Sequence, residues 1–172
     1  MFEVKNNIFE MEIMMSVRII IDSASDLTKE QADKLGLDFL PLKTIFGTEE
    51  YLDGITLSHQ QFYEKLIESD CMPTTSQIPP HDFEQLYADV KEKKDTAVVI
   101  TLSSRLSGTF QSANIALDGY EDCITIVDSE NVCLGVFPLS VQADASEMPV
   151  FLPLKLQKLW IRKRKMSAFW RY

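Results

Sequence analysis

The chain has 172 residues, 45% of them hydrophobic and 25% charged, with a formal net charge of −9, the size and composition of one soluble domain with a core of its own. No apolar run reaches the roughly 18 residues of a membrane span, and the opening Met1-Phe2-Glu3-Val4-Lys5-Asn6-Asn7 lacks the basic start and apolar stretch of a secretory signal, so a cytoplasmic location is expected. Three cysteines (Cys71, Cys123, Cys133) without ligand spacing and two isolated histidines (His59, His81) argue against a disulfide framework and against a metal site.

The charge is unevenly spread. Residues 1–154 hold 26 acids and 10 bases, whereas residues 155–172 hold seven bases, no acid and both tryptophans, Trp160 and Trp170.

Residues 1–15 show no period, and Met14-Met15-Ser16 directly before the first strand suggests a translation start there. Val17 to Ile21 reads as a strand, leaving through Asp22-Ser23-Ala24-Ser25-Asp26. Thr28 opens a helix, with Gln31 at capping-box offset and Gly36 beyond its end. Leu37 to Phe46 reads as a second strand broken by Pro41, which argues for an edge or a bulge, and Tyr51 to Ile55 as a short extension after the Gly47-Thr48 turn. Ser58 and Gln61 form another capping-box pattern, for a helix with Phe62, Leu66 and Ile67 on one face. Met72 to Gln77 reads as a hydroxyl-rich loop. The next helix carries Phe83, Leu86, Tyr87 and Val90 as an i, i+3, i+4, i+7 stripe, with Asp82 in its first turn and Lys91, Lys93 and Lys94 in its last.

Ala97-Val98-Val99-Ile100-Thr101-Leu102 is the β-branched run of a buried parallel strand. It passes through Ser103-Ser104-Arg105-Leu106-Ser107-Gly108-Thr109 into a helix with Phe110, Ala113 and Leu117 at helical spacing. Such a loop points hydroxyls, backbone N–H groups and a helix dipole into the crevice at the strand's carboxyl end, which suits an anion. No Lys follows Gly108, so the loop is not a nucleotide P-loop. The plainer reading is that Ser107 or Thr109 is only an N-cap. Cys123 to Val127 is a further strand, leaving through Asp128-Ser129-Glu130-Asn131.

The order β-α-β-α-α-β-α-β predicts an α/β fold, a mostly parallel sheet with helices on both faces. In such a sheet the loops Asp22–Ser25, Ser103–Thr109 and Asp128–Asn131 share one edge, and Thr74–Gln77 can reach it. A shared binding crevice explains this convergence better than capping alone.

These residues closely resemble the DegV family of bacterial fatty-acid-binding proteins. The resemblance rests on Asp22-Ser23-Ala24-Ser25-Asp26-Leu27, Pro41-Leu42, Tyr51-Leu52-Asp53-Gly54, Phe62-Tyr63, Pro73-Thr74-Thr75-Ser76-Gln77, Leu102 to Ala113 and Val127-Asp128-Ser129, in that order. It runs from Val17 to about Gly135. It implies a two-domain protein that sandwiches one long-chain fatty acid as ligand, with no cofactor and no catalytic residue. The carboxylate is held by hydroxyls, and a partner fatty-acid kinase phosphorylates the presented acid. Carried over, the carboxylate-facing residues are Thr75, Ser76, Ser103, Ser104 and Ser107, and Gly108 permits close approach of the backbone. Asp22 and Asp26 would repel such a ligand and are assigned to capping and loop order. Arg105, the only cation in these loops, is expected to be exposed.

Beyond Gly135 the resemblance stops, which divides the chain into an extension (1–16), a DegV-like N-terminal α/β domain (17–135) and a non-matching, irregular basic tail (136–172). Two readings of the tail compete: an out-of-frame translation that truncates the protein, which the prolines and the loss of acids favour, or an amphipathic segment for anionic membranes or nucleic acid. On the first, no nucleic-acid partner is expected, the apolar face left by the second domain promotes self-association, and fatty-acid binding is weak or lost. The alternatives to a fatty-acid carrier are a small serine-dependent enzyme and a binding module using the basic tail. The absence of a Gly-x-Ser-x-Gly elbow speaks against the enzyme.

Overall fold

A computed structural model describes residues 16–133; the suggested start at Met14-Met15 and the tail beyond Gly135 lie outside the described residues. In chain order the elements are β1 (Val17–Asp22), a 3-10 turn (Ser23–Ser25), α1 (Lys29–Lys34), β2 (Asp38–Leu40), β3 (Lys43–Phe46) and β4 (Glu49–Leu52). There follow α2 (His59–Glu68), β5 (Thr74–Ser76), α3 (Pro80–Glu92), β6 (Thr96–Thr101), α4 (Thr109–Ile115) and β7 (Ile124–Asp128).

The near-continuous apolar runs of β1 and β6 place them at the centre of a sheet covered on both faces. The strand order is β2-β1-β6-β7, all parallel. Side chains alternate between two cores. Val17, Ile19, Ile21, Val98 and Ile100 meet Leu27, Ala32 of α1, Leu37 and Phe39 on one face. Ile20, Val99, Ile124 and Ile126 meet Phe83, Tyr87 and Val90 of α3 and Ala113 of α4 on the other. Full burial of each such side chain is worth about 1.5–3 kcal/mol, so these two layers hold the fold.

The predicted capping boxes both form. Thr28 and Gln31 start α1, and Ser58 and Gln61 start α2, each serine or threonine oxygen taking the N3 amide while the glutamine returns to the N-cap amide. Past α1 the chain reverses at Gly36 with φ +68°, a conformation glycine adopts without steric cost. Arg18, on β1, joins three elements: its guanidinium is 2.8 and 2.9 Å from the two carboxylate oxygens of Asp38 on β2 and 2.6 Å from Asp89 on α3.

Two expectations need correction. Leu37–Phe46 is not one strand. The chain leaves the parallel sheet at Pro41, which has no N–H to donate, and Leu42 N–H turns instead to Ser23 Oγ at 3.0 Å. β3 then becomes the centre of a second, antiparallel sheet in the order β4-β3-β5. Thr74–Ser76 is therefore a strand and not a loop, its β-branched threonines paired opposite Thr44 and Ile45. Amphipathic α2 covers this sheet lightly. Phe62 meets Phe46 with ring centroids 5.8 Å apart, yet no α2 residue is fully buried, and Ile67, placed on the apolar face from sequence, is 85% exposed.

Candidate functional site

The loops leaving β1, β6 and β7 meet at the carboxyl edge of the parallel sheet, as the topology requires. They are laced together. Asp22, buried at the end of β1, accepts from Ala24 N–H at 3.1 Å and from Leu102 N–H at 2.6 Å, capping the 3-10 turn and pinning the β6 loop beside it. Burial pushes its carboxyl up to about 6, with the two backbone N–H groups pulling the other way. Ser103 N–H donates to Asn131 carbonyl at 2.8 Å, and Ser129 N–H to Thr101 carbonyl at 3.1 Å. The sequence assignment of Asp22 to loop order thus matches its geometry.

Most backbone amides of the β6–α4 loop ahead of Gly108 are taken up within the protein. Leu106 and Ser107 N–H both donate to Ser103 carbonyl, Arg105 N–H to Ser103 Oγ, Ser104 N–H to Asp128 and Thr109 N–H to Ser107 Oγ. What that part of the loop can offer an anion is hydroxyls.

The candidate hydroxyls differ in readiness. Ser103 is buried, at 4% exposure, and organises the loop from within. Ser104 is exposed, but its hydroxyl donates to Asp128 Oδ2 at 2.5 Å. Its proton is directed here at a carboxylate of the protein itself.

Ser107 is half-buried and sits 2.9 Å from Thr109 Oγ1. Thr109 is completely buried and accepts from Ile78 N–H at 3.4 Å. Its own proton must go to Ser107 Oγ, because the reverse arrangement strands a buried O–H at about 1–3 kcal/mol. Ser107 Oγ, accepting from both the hydroxyl and the N–H of Thr109, then keeps its proton for an outside acceptor. The N-cap position belongs to Gly108, and no side-chain cap bond is made there, so neither Ser107 nor Thr109 is the N-cap.

On β5, Thr75 is exposed, and half-buried Ser76 donates to Gln77 carbonyl at 3.3 Å. Gln77 Nε2 donates to Ser112 Oγ of α4 at 2.9 Å, and Ile78 N–H reaches Thr109, so the chain just past β5 is tied to the start of α4. Arg105 is exposed, as expected. Leu106, between the serines, is 65% exposed and gives this polar face an apolar spot.

Two surface recesses, of about 280 Å³ beside Lys65 and about 470 Å³ beside Tyr120, share no residue with these loops. For a serine nucleophile the arrangement is unsuited: Ser104 is paired to a carboxylate, and His81 Nε2 lies 2.9 Å from Gln85. No group of three His, Cys, Asp or Glu among the described residues could share a metal ion.

A family model for DegV proteins, described as uncharacterised, matches residues 16–145. The chain belongs to the DegV family. A DegV domain-containing protein of Clostridium perfringens is 39% identical over 124 residues, a match spanning 72% of this chain and 44% of that one. Among solved structures, a fatty-acid-binding DegV family protein from Thermus thermophilus superposes with a TM-score of 0.77 at 28% identity, and DegV, a fatty-acid-binding protein from Bacillus subtilis, with 0.76 at 28%. Each covers 88% of this chain and 54% of the other. This DegV chain therefore spans about half the length of the relatives it matches, and its α/β fold with a parallel sheet is theirs.

The site residues missed from sequence are Gln77, Thr109 and Asp128. Each stands in a motif already quoted, but its role depends on which neighbour the fold places against it, and only the three-dimensional pairing reveals that.

Proposed function

We propose that this DegV chain binds the carboxylate of a long-chain fatty acid at the hydroxyls of Ser107, Thr75 and Ser76, with Ser103 shaping the loop and Gly108 leaving room for it. The observation that carries this reading is the 2.9 Å contact of half-buried Ser107 Oγ with buried Thr109 Oγ1; with the Thr109 proton directed at Ser107, Ser107 is left to donate outward. Stearic, heptadecanoic and vaccenic acids accompany solved DegV relatives, and the T. thermophilus and B. subtilis proteins are described as fatty-acid-binding.

The chemistry sets the balance of forces. Each hydrogen bond to a charged group contributes about 1.5–3 kcal/mol, much of it offset by desolvation of the carboxylate. Each buried methylene adds about 0.8 kcal/mol. The acyl contacts decide affinity, and the hydroxyls decide which end enters. A carboxylate bound by neutral donors and not by an ion pair stays accessible to a second protein, in keeping with presentation to a fatty-acid kinase, the finer role that the family resemblance suggests.

Native mass spectrometry and titration with a fluorescent fatty acid test the reading. With about half the length of its relatives the chain is expected to form only a weak one-to-one acyl complex, weakened about tenfold further by Ser107→Ala, the loss of one charge-assisted bond. Ser104→Ala is expected to change affinity far less, because its proton belongs to Asp128. Binding indifferent to Ser107→Ala and Thr75→Ala would place the carboxylate elsewhere. Uptake of fatty acid without any acyl phosphate in the presence of a fatty-acid kinase would refute presentation alone.

A further inference from the structure

Gly108 has φ −72°, a conformation open to any residue, so its lack of a side chain is not demanded by the backbone. A side chain there would instead displace the end of the Gln77 side chain. A Cβ built at Gly108 would lie 1.8 Å from Gln77 Oε1 and 2.8 Å from Gln77 Cδ. The exposed Gln77 side chain reaches the start of α4, where its Nε2 donates to Ser112 Oγ at 2.9 Å; Ser112 is completely buried. One residue on, Ile78 N–H reaches Thr109 Oγ1, the group that directs the Ser107 proton outward.

These contacts join parts of the chain 31 and 35 residues apart in sequence. They also join two different sheets: Thr75 and Ser76 belong to the small antiparallel sheet, and Ser107 follows a strand of the parallel one.

We propose that Gln77 is the positioning residue of the hydroxyl site. Seated on Gly108 and tied to Ser112, it fixes the end of β5 against α4, and with it the position of the β5 hydroxyls relative to Ser107. Gly108 is the socket, since a methyl group there would displace the end of the Gln77 side chain. Gln77 itself touches no ligand in this role. This inference rests on the proposed fatty-acid binding, and its test separates the two.

The variants are Gln77→Met, which keeps the length and loses the hydrogen bond, Gly108→Ala, which fills the socket, and the double variant. Each full chain is titrated with a fluorescent fatty acid, and amide exchange of Ile78 and Thr109 is followed without ligand. Gln77→Met and Gly108→Ala are each expected to weaken binding about tenfold, the worth of one well-placed hydrogen bond, and to speed exchange at Ile78. The double variant is expected to bind like the worse single variant, because both changes break the same contact. Gln77→Glu, which can accept from the Ser112 hydroxyl, is expected to recover slow exchange at Ile78.

Wild-type affinity in both single variants, or additive losses in the double variant, overturns the proposal. A wild-type chain that takes up no fatty acid defeats the functional reading instead, and the interlock is then decided by exchange. Unchanged Ile78 exchange in Gln77→Met overturns it, and faster exchange in Gln77→Met that returns to the slow rate in Gln77→Glu upholds it.

Discussion

Asp22 is the residue on which the carboxyl edge turns. A carboxylate sealed in the protein with two N–H donors is costly to keep charged, and its carboxyl is pushed up to about 6. Because the folded value lies above the ordinary 3.8, the native state holds the proton more tightly than the unfolded chain. The Asp22 contribution to stability is therefore greatest in acid and falls as pH rises between about 4 and 6. Asp22→Asn should remove this component. Denaturant unfolding of both proteins across that range is expected to show the wild type losing stability relative to the variant as pH rises; parallel curves would mean the carboxyl is not perturbed. The same residue shows what a sequence can carry. Its place in the β1 exit loop marks it as a capping group, but the 80-residue reach to Leu102 N–H has no local signature. Ser104 is a like case: its hydroxyl-rich loop carries no sign that Asp128 stands beside it.

Among elements, those with strong local patterns were legible and those defined by partners were not. The stripe Phe83, Leu86, Tyr87, Val90 and the two capping boxes identify α3, α1 and α2, because periodicity and caps act within a few residues. β5 was missed because three residues carry no period, and only the exposed edge of β3 makes them a strand. The division at Pro41 was visible as a break but not as a change of sheet. Arg18 is a second element-scale device. Its ion pairs to Asp38 and Asp89 tie β2, β1 and α3 together, and they hold the Asp89 carboxyl below its ordinary value, with help from Lys93. The Arg18 and Asp38 side chains are 17% and 28% exposed, so that pair is better shielded than a surface bridge, whereas Asp89 is 39% exposed. Arg18→Met is expected to cost about 2 kcal/mol, in the range for bonds to charged groups, read as a lower urea midpoint with an unchanged slope. A loss below about 0.5 kcal/mol would class the cluster with ordinary surface pairs.

At the scale of the whole molecule, charge opposes the proposed ligand. The chain carries a net charge of −9, and long-range repulsion slows the approach of a carboxylate. Raising ionic strength from about 0.01 M to 0.1 M shortens the screening length from about 30 Å to about 10 Å. Fatty-acid association should therefore quicken with salt. Slower association in salt would reveal a cationic group at the site, with Arg105 the first to examine. Tyr63, Ile67 and Met72, 63%, 85% and 82% exposed around α2, add an apolar surface. It is the region from which concentration-dependent light scattering is expected if the chain self-associates.

The two sheets are covalently joined, on the way from β2 to β3, only through Pro41-Leu42, with one hydroxyl of Ser23 pinning the crossing. One jaw of the site rides on the small sheet and the other on the large one. Ile78, two residues past Ser76 and fully buried in the large core, tethers the small sheet there, so tipping that sheet to part Thr75 and Ser76 from Ser107 must first undo the Gln77 and Ile78 contacts. Residence time of a bound acid would follow the opening of those contacts, and mild denaturant would shorten it.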